Sequence, residues 1–324
     1  MTGGAGYIGS HAVGNLEAAG HSVVVFDSLV LGHREAVGSV PLVEGFLEQT
    51  ALLAETMQLH RVDAVMHFAG RSRVSESVEH PDLYYRDNVA GTISLLEAMS
   101  ATGVDRIVFS SSCATYGEPG SVPISEEALQ RPVNPYGRTK LIIEQMLADH
   151  GRSYGLSYAS LRYFNACGAS SDGELGEDHE DETHLIPLAL QVALGERDCI
   201  QVFGDDYATP DGTCIRDYIH VDDLADAHTL ALEKLGPGTE MKLNLGTGRG
   251  YSVREVIDAC RRVTDLPILE SVTSRRVGDP PALVADPTLA ERLLGWKAQY
   301  TAIDDMVATA WTWHRRHPYG YGES

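Results

Sequence analysis

The sequence predicts an α/β protein: a doubly wound parallel sheet with a smaller C-terminal α/β domain. Three observations predict it. Short apolar runs alternate with amphipathic segments of helical period through the first half. A glycine loop, Thr2-Gly3-Gly4-Ala5-Gly6-Tyr7-Ile8-Gly9-Ser10, stands directly before one of those segments. After about residue 165 the rhythm loosens into a stretch rich in Gly, Asp, Glu and Ser. Strand, helix, strand in this order requires right-handed crossovers, hence parallel strands with helices on both faces, the Rossmann arrangement.

The elements follow in sequence. Helix 11–19 comes first, with Gly20 as its stop, then the strand Val23-Val24-Val25-Phe26. Helix 50–59 precedes Ala64-Val65-Met66-His67-Phe68, segment 82–99 precedes Arg106-Ile107-Val108-Phe109, and helix 138–150 follows. These strands carry little polar alternation, as strands buried on both faces do. Beyond them, 168–182 reads as a loop, 186–194 as a helix, 200–203 and 215–221 as strands, 222–234 as an amphipathic helix and 242–245 as a strand. Ser252 reads as the cap of helix 253–263. The domains expected are 1–165 for the nucleotide and 166–324 for the substrate, with 215–245 able to return to the first sheet.

Composition narrows the class. The 324 residues are 43% hydrophobic and 22% charged, ordinary for a globular protein. A net charge of -21 argues against nucleic acid and anionic membrane as partners, since both need a basic patch. The five cysteines (Cys113, Cys167, Cys199, Cys214, Cys260) are scattered, and no C-x-x-C pair occurs. Neither zinc nor a disulfide framework is expected, and no metal site is assigned. With no signal peptide and no apolar run of about 18 residues, the expected compartment is the cytoplasm.

The glycine loop names a cofactor. Gly3, Gly6 and Gly9, with Gly4-x-Gly6-x-x-Gly9 superposed, let a backbone turn tightly and approach a pyrophosphate at a helix N-terminus, with Tyr7 and Ile8 in the same turn. Such a motif alone is weak, and its context strengthens it. Strand 23–26 ends in Asp27, followed by Ser28, eighteen residues after Gly9. A carboxylate there accepts hydrogen bonds from ribose hydroxyls and repels a 2′-phosphate, so NAD is favoured over NADP. Asp27 is otherwise a strand-end turn residue. Two further strands end in His67-Phe68-Ala69-Gly70 and Ser110-Ser111-Ser112, at the carboxyl edge where ligands of open α/β sheets bind.

Tyr136-Gly137-Arg138-Thr139-Lys140 supplies the candidate chemistry. Residues four apart share a helix face. A tyrosine, with an ordinary pKa of about 10, acts as a base near neutrality only where a cation stabilises its phenolate. Lys140 is placed to do so, and Ser112 to orient the same substrate hydroxyl. Isolated, a Tyr-x-x-x-Lys pair is an ordinary surface feature; the glycine loop and serine strand-end give this one its meaning.

Together these residues resemble the extended short-chain dehydrogenase/reductases, and within them the sugar-nucleotide 4-epimerases. The likeness extends to Tyr7-Ile8-Gly9-Ser10-His11, Arg162-Tyr163-Phe164-Asn165, Gly212-Thr213-Cys214-Ile215-Arg216-Asp217-Tyr218-Ile219-His220, Asn244-Leu245-Gly246 and Arg275-Arg276-Val277-Gly278-Asp279. The resemblance implies inversion of C4 of a UDP-hexose. Tyr136 would take the 4-hydroxyl proton, hydride would pass to NAD, and a 4-keto sugar would turn over and receive the hydride on its other face. It implies that Phe68, Ala69, Gly70, Asn88 and Phe164 line the NAD site. Asn165, His184, Leu185, Phe203, Arg216, Arg276 and Asp279 would hold the UDP-sugar, and the enzyme would be a homodimer. Two guanidiniums suit a diphosphate; the bland roles are a salt bridge for Arg216 or Arg276, a structural histidine for His184 and a core position for Phe203.

Departures from the family pattern concern the cofactor and the sugar pocket. Phe46 stands after Gly45 where an aspartate usually meets adenine. Ser72 replaces a frequent lysine, leaving Arg71 or Arg73 to reach the phosphates, and Asp87 replaces an asparagine. Leu283 stands where some relatives carry a tyrosine, a change that would admit N-acetylhexosamines. Relatives begin with an apolar strand ending in Val before Thr-Gly-Gly. Met1 holds that position, so the first strand is expected to be cut short by a start called too late. Alternative readings are a UDP-N-acetylhexosamine or UDP-pentose 4-epimerase, a decarboxylase or dehydratase, or a truncated NAD-binding protein without activity. The run Cys113-Ala114-Thr115 after Ser112, with no carboxylate until Glu118, weighs against dehydration.

Overall fold

The structure is a computed structural model, and it describes residues 1–276 and 278–322. Val277, within the Arg275–Asp279 motif, lies outside the described residues. The chain begins with α1 (Tyr7–Ala18), β1 (Val25–Asp27), β2 (Leu42–Glu44), α2 (Thr50–Leu59) and β3 (Val65–His67). Then come α3 (Val74–Glu79), α4 (Pro81–Tyr84), a π-helical stretch (Tyr85–Ala90), α5 (Gly91–Thr102), β4 (Arg106–Ser112) and α6 (Pro135–Tyr154). Strands β5 (Ser157–Tyr163) and β6 (Asn165–Cys167) are split by Phe164.

The first sheet is parallel throughout. Strand β1 pairs with β2, and β3, β4, β5 and a late strand, β9 (Glu240–Leu245), lie side by side in that order. Thr2 joins the two groups by bridging Phe26 on one side and His67 on the other. The Thr2 amide donates to the Met66 carbonyl and the Gly3 amide to that of Phe26, both at 3.0 Å. Residues 1–3 thus hold the central lane, and the glycine loop leaves the sheet at its carboxyl edge.

The second half adds α7 (Leu185–Ala193), β7 (Ile200–Phe203), β8 (Ile215–His220) and α8 (Val221–Lys234) before β9. It ends with β10 (Gly250–Ser252), α9 (Val253–Thr264), β11 (Glu270–Thr273), β12 (Ala282–Leu283), α10 (Thr288–Leu294) and α11 (Ile303–Arg316). Only part of 215–245 joins the first sheet. Strand β9 pairs with β5, whereas β8 is the hub of a small sheet with β6, β10 and β12. One core lies under the first sheet around Val108, Leu161, Leu243 and Trp296. A second, around Ile186, Leu190, Val256 and Ile257, holds α7, α9 and α11 together. Ser252 caps α9 as expected, in a full capping box with Glu255.

Several element boundaries differ from expectation for physical reasons. Helix α1 starts at Tyr7 rather than 11, because the glycine loop feeds directly into its first turn. Helix α6 starts at Pro135, a residue whose fixed φ suits the first helical position, and the Asn134 side chain caps it by accepting from the Gly137 amide at 2.8 Å. Segment 82–99 is broken by the π-helical stretch. Among the described residues, no helix is long and apolar enough to cross a membrane.

Candidate active site

The glycine loop is shaped by contacts that only hydrogen can satisfy. Gly3 lies at φ 75°, and a Cβ there would strike the Ala69 backbone. One on Gly9 would strike the Gly3 carbonyl. Gly6 differs: its Cβ would meet only the Gly3 oxygen, at 3.6 Å. The loop therefore has an open side at the start of α1, and no side chain caps that helix. A first turn with unclaimed amides and an open backbone beside it fits a dinucleotide pyrophosphate.

Asp27 is buried, and its carboxylate accepts from the Ala5 and Leu29 amides, each at 2.9 Å. It ties the glycine loop to the end of β1 and retains lone pairs for ribose hydroxyls. Ser28 beside it is half-buried. Tyr7 reaches across the cleft and donates to the Gly168 carbonyl at 2.6 Å, while Ile8 packs against the main core. Phe68 leans on the His228 ring at 4.7 Å, and Gly70 follows Ala69 at φ 151°.

Asn88 sits in the π-helical stretch, and its amide is engaged by the protein. Its Oδ1 accepts from the Arg71 amide at 2.7 Å, and its Nδ2 donates to the Arg71 carbonyl and to Thr139 Oγ1. It braces the turn after β3 against α6. The arginines expected to reach phosphates are also engaged. Arg71 pairs with Asp87 at 2.5 Å and Glu76 at 3.1 Å, and Arg73 pairs with Asp181 at 3.0 Å.

The structure brings Ser112, Tyr136 and Lys140 together at the end of β4. All three are buried. Lys140 Nζ donates to the Ser110 carbonyl at 2.8 Å and lies 5.8 Å from the centre of the Tyr136 ring. Burial lowers the Lys140 ammonium to about 8, against the opposing pull of Glu144. Tyr136 shows the reverse of the shift expected from Lys140. Burial holds its phenol well above the usual tyrosine range, with Tyr163 adding to the rise and a Ser112 hydrogen bond opposing it. Ser112 Oγ also accepts from the Ala114 amide at 3.1 Å, which fixes its rotamer.

Residues beneath this trio carry a network the sequence reading did not assign. Glu144, one turn beyond Lys140, accepts from Ser111 Oγ at 2.6 Å, Gln130 at 3.1 Å, and Arg162 through Nε at 2.9 Å and Nη2 at 2.6 Å. Arg162 also donates to Tyr116 at 2.8 Å, whose hydroxyl donates to Asn244. Glu144 lies four residues after Lys140, which is a signal; its partners are remote in sequence and could not be read.

The expected substrate residues fall into three groups. Arg216 on β8 pairs with Asp279, and Leu283 on β12 lies in register with Arg216. Leu283 packs against the cluster that holds Cys113 and Phe164. Arg276 stacks over Phe203 at 3.9 Å. Asn165 opens β6, and His184 precedes α7, which begins at Leu185. Glu177 and Glu182 raise His184 to about 9. His179 joins this cluster, within 3.4 Å of Glu177 and 3.3 Å of Glu182. Four such groups have the spacing of metal ligands, but both imidazoles are raised by the glutamates and so held as cations that a metal would have to deprotonate.

The fold and the trio define a dinucleotide-dependent enzyme of the short-chain dehydrogenase/reductase type. Residues 1–246 match the NAD dependent epimerase/dehydratase family. The chain is 51% identical over 322 residues to a UDP-glucose 4-epimerase of Halalkalibacterium halodurans, covering 99% of this chain and 96% of that one. The crystal structure of UDP-glucose 4-epimerase from Brucella ovis in complex with NAD is 53% identical, with a TM-score of 0.93 and 95% of each chain covered. That from Bifidobacterium longum in complex with NAD+ and UDP is 40% identical, with a TM-score of 0.94, covering 99% of this chain and 98% of that one. The chain belongs to the NAD dependent epimerase/dehydratase family and, within it, to the UDP-glucose 4-epimerases.

Proposed function

We propose that the protein inverts C4 of a UDP-hexose, interconverting UDP-galactose and UDP-glucose. The observation that carries this is the convergence of Ser112, Tyr136 and Lys140 at the carboxyl end of β4, facing the glycine loop across the sheet edge. When bound at the loop, NAD would supply a reversible hydride acceptor for C4. The chain does the rest. Gly3, Gly6, Gly9, Tyr7 and Ile8 receive the pyrophosphate, and Asp27 and Ser28 the adenosine ribose. Phe68, Ala69, Gly70, Asn88 and Phe164 form the wall of the nicotinamide half.

Tyr136 moves the proton at the sugar 4-oxygen. Its phenol stays neutral with Lys140 alone nearby, so it becomes a base only when the positive charge of the oxidised cofactor joins that of Lys140. Ser112 holds the hydroxyl in line. Arg216 and Arg276 take the diphosphate, with Asp279 orienting Arg216. Phe203, Asn165, His184 and Leu185 complete the UDP-sugar site, and Leu283 faces the hexose. The enzyme works as a cytoplasmic homodimer. Ile93 on α5 and Tyr85, both exposed on one helical run, are apolar surface that a second copy would cover.

The test is direct. Incubation with UDP-galactose, following UDP-glucose through coupled NADH formation, should show turnover that Tyr136→Phe lowers by about 100- to 10,000-fold. No conversion, or conversion that this variant leaves intact, sinks the proposal.

A further inference from the structure

Three consecutive serines end β4, and each engages a different residue of one α6 face. The Ser110 carbonyl accepts from Lys140 Nζ, Ser111 Oγ donates to Glu144, and the Ser112 hydroxyl acts on the Tyr136 phenol. The three helix residues are spaced by four, so they form one stripe. Tyr136 and Lys140 have chemistry to do. Glu144 has no place in the reaction, yet it is 1% exposed, and its Arg162 partner is equally buried. A buried ion pair is weak evidence for stability alone, because apolar residues of similar volume serve as well or better.

We propose that Glu144, clamped by Arg162, is a positioning residue that locks the catalytic stripe of α6 to the end of β4 and sets a buried negative charge beneath the Lys140 ammonium. The clamp is bidentate, so it fixes the carboxylate in orientation as well as place. The other titratable groups facing this region are His67 from β3, Tyr158 and Tyr163 from β5, Tyr84 from α4, and Cys113, Tyr116 and Glu126 between β4 and α6. Burial holds His67 near 3, hence uncharged, raises all four tyrosines, raises Cys113 to about 12, and raises the Glu126 carboxyl, which lies on the Arg162 side. Among the groups of this region, Glu144 is the carboxylate whose charge offsets the desolvation of Lys140. Without it, burial would pull the ammonium below about 8, and the charge that Tyr136 needs would be lost at lower pH.

This inference rests on reading Tyr136 and Lys140 as the acid–base pair, but its test needs no sugar. The chain has four lysines, so 15N-lysine labelling resolves Lys140 Nζ in the NAD-loaded protein. Glu144→Gln should move the Lys140 titration down by about one to two pH units. The alkaline limb of kcat should follow it, with KM changed less than twofold. The double variant Glu144→Gln/Arg162→Met removes the cation left unpaired by the first. It should fold better than the single variant and show the same downward titration. An unmoved Lys140 titration in either folded variant overturns the proposal. So does failure of both to fold, which would make the pair a structural requirement only. A shifted titration in an enzyme that never converts UDP-galactose overturns the sugar assignment and leaves the positioning role standing.

Discussion

On the proposed reading, Leu283 is the side chain that decides what the pocket admits. It lies on β12, packed against the cluster of Cys113 and Phe164 and in register with Arg216. A leucine ends short of where a tyrosine ring and hydroxyl would reach, which on this reading would leave room for a larger substituent at C2 of the hexose. Leu283→Tyr should lower turnover of UDP-N-acetylglucosamine by about ten- to a hundredfold while changing UDP-glucose turnover only a few-fold. Steady-state kinetics on both sugars check this. A wild-type enzyme that converts UDP-glucose but never the N-acetyl sugar would show that Leu283 does not set the width of the pocket.

At the scale of elements, the loop before α7 carries its own pH dependence. Glu182 is held at about 2 by its histidine partners, and His184 is raised to about 9 by Glu177 first and then Glu182. The sign follows from both ends. His184 stabilises the loop fully below its unfolded value of 6.5, and this is lost as pH rises through about 9. Glu182 contributes fully above 4.5, and this is lost as pH falls through about 2. Amide exchange corrected for its intrinsic pH dependence should therefore show residues 177–184 best protected between 4.5 and 6.5. Glu177→Gln should flatten the alkaline side of that profile. Equal protection at pH 6 and pH 9 in the wild type would count against the ion pairs.

How much was legible also divides by element. The glycine loop, the Ser112 strand-end and the Tyr136–Lys140 pair could be read because each is local: a turn, an edge, a four-residue spacing. Strand β5 was not read, because Ser157, Ser160 and Arg162 break its apolar run. Ser157 accepts from Gly238 and Arg162 is bound by Glu144, both satisfied by partners far away in sequence. The π-helical stretch was equally hidden, since one extra residue per turn leaves the hydrophobic pattern of 82–99 nearly unchanged. Asn88 depends on that stretch for its reach to both Arg71 and Thr139.

The whole molecule is bound by contacts between its halves and strained by its charge. Tyr7 reaches Gly168, His11 meets Asp222 at 2.7 Å, and α8 packs on α1, so the nucleotide loop and the second half share one frame. Against this stands a net charge of -21. Its ion pairs at the surface, such as Arg34–Glu44 and Arg262–Asp304, contribute little each, so screening them costs little. The excess of unpaired carboxylates repels itself and opposes compaction, and that repulsion is screened over a Debye length of about 10 Å at 0.1 M salt. The two effects have opposite signs, and with a net charge of -21 the self-repulsion is expected to be the larger. Raising KCl from 10 mM to 500 mM should therefore raise Tm by several degrees, with most of the gain below about 0.2 M where screening changes fastest. Differential scanning calorimetry at fixed pH 7.5 measures this. A Tm that stays flat or falls across the series would mean that the ion pairs outweigh the net charge, and that the acidic surface is neutral toward folding.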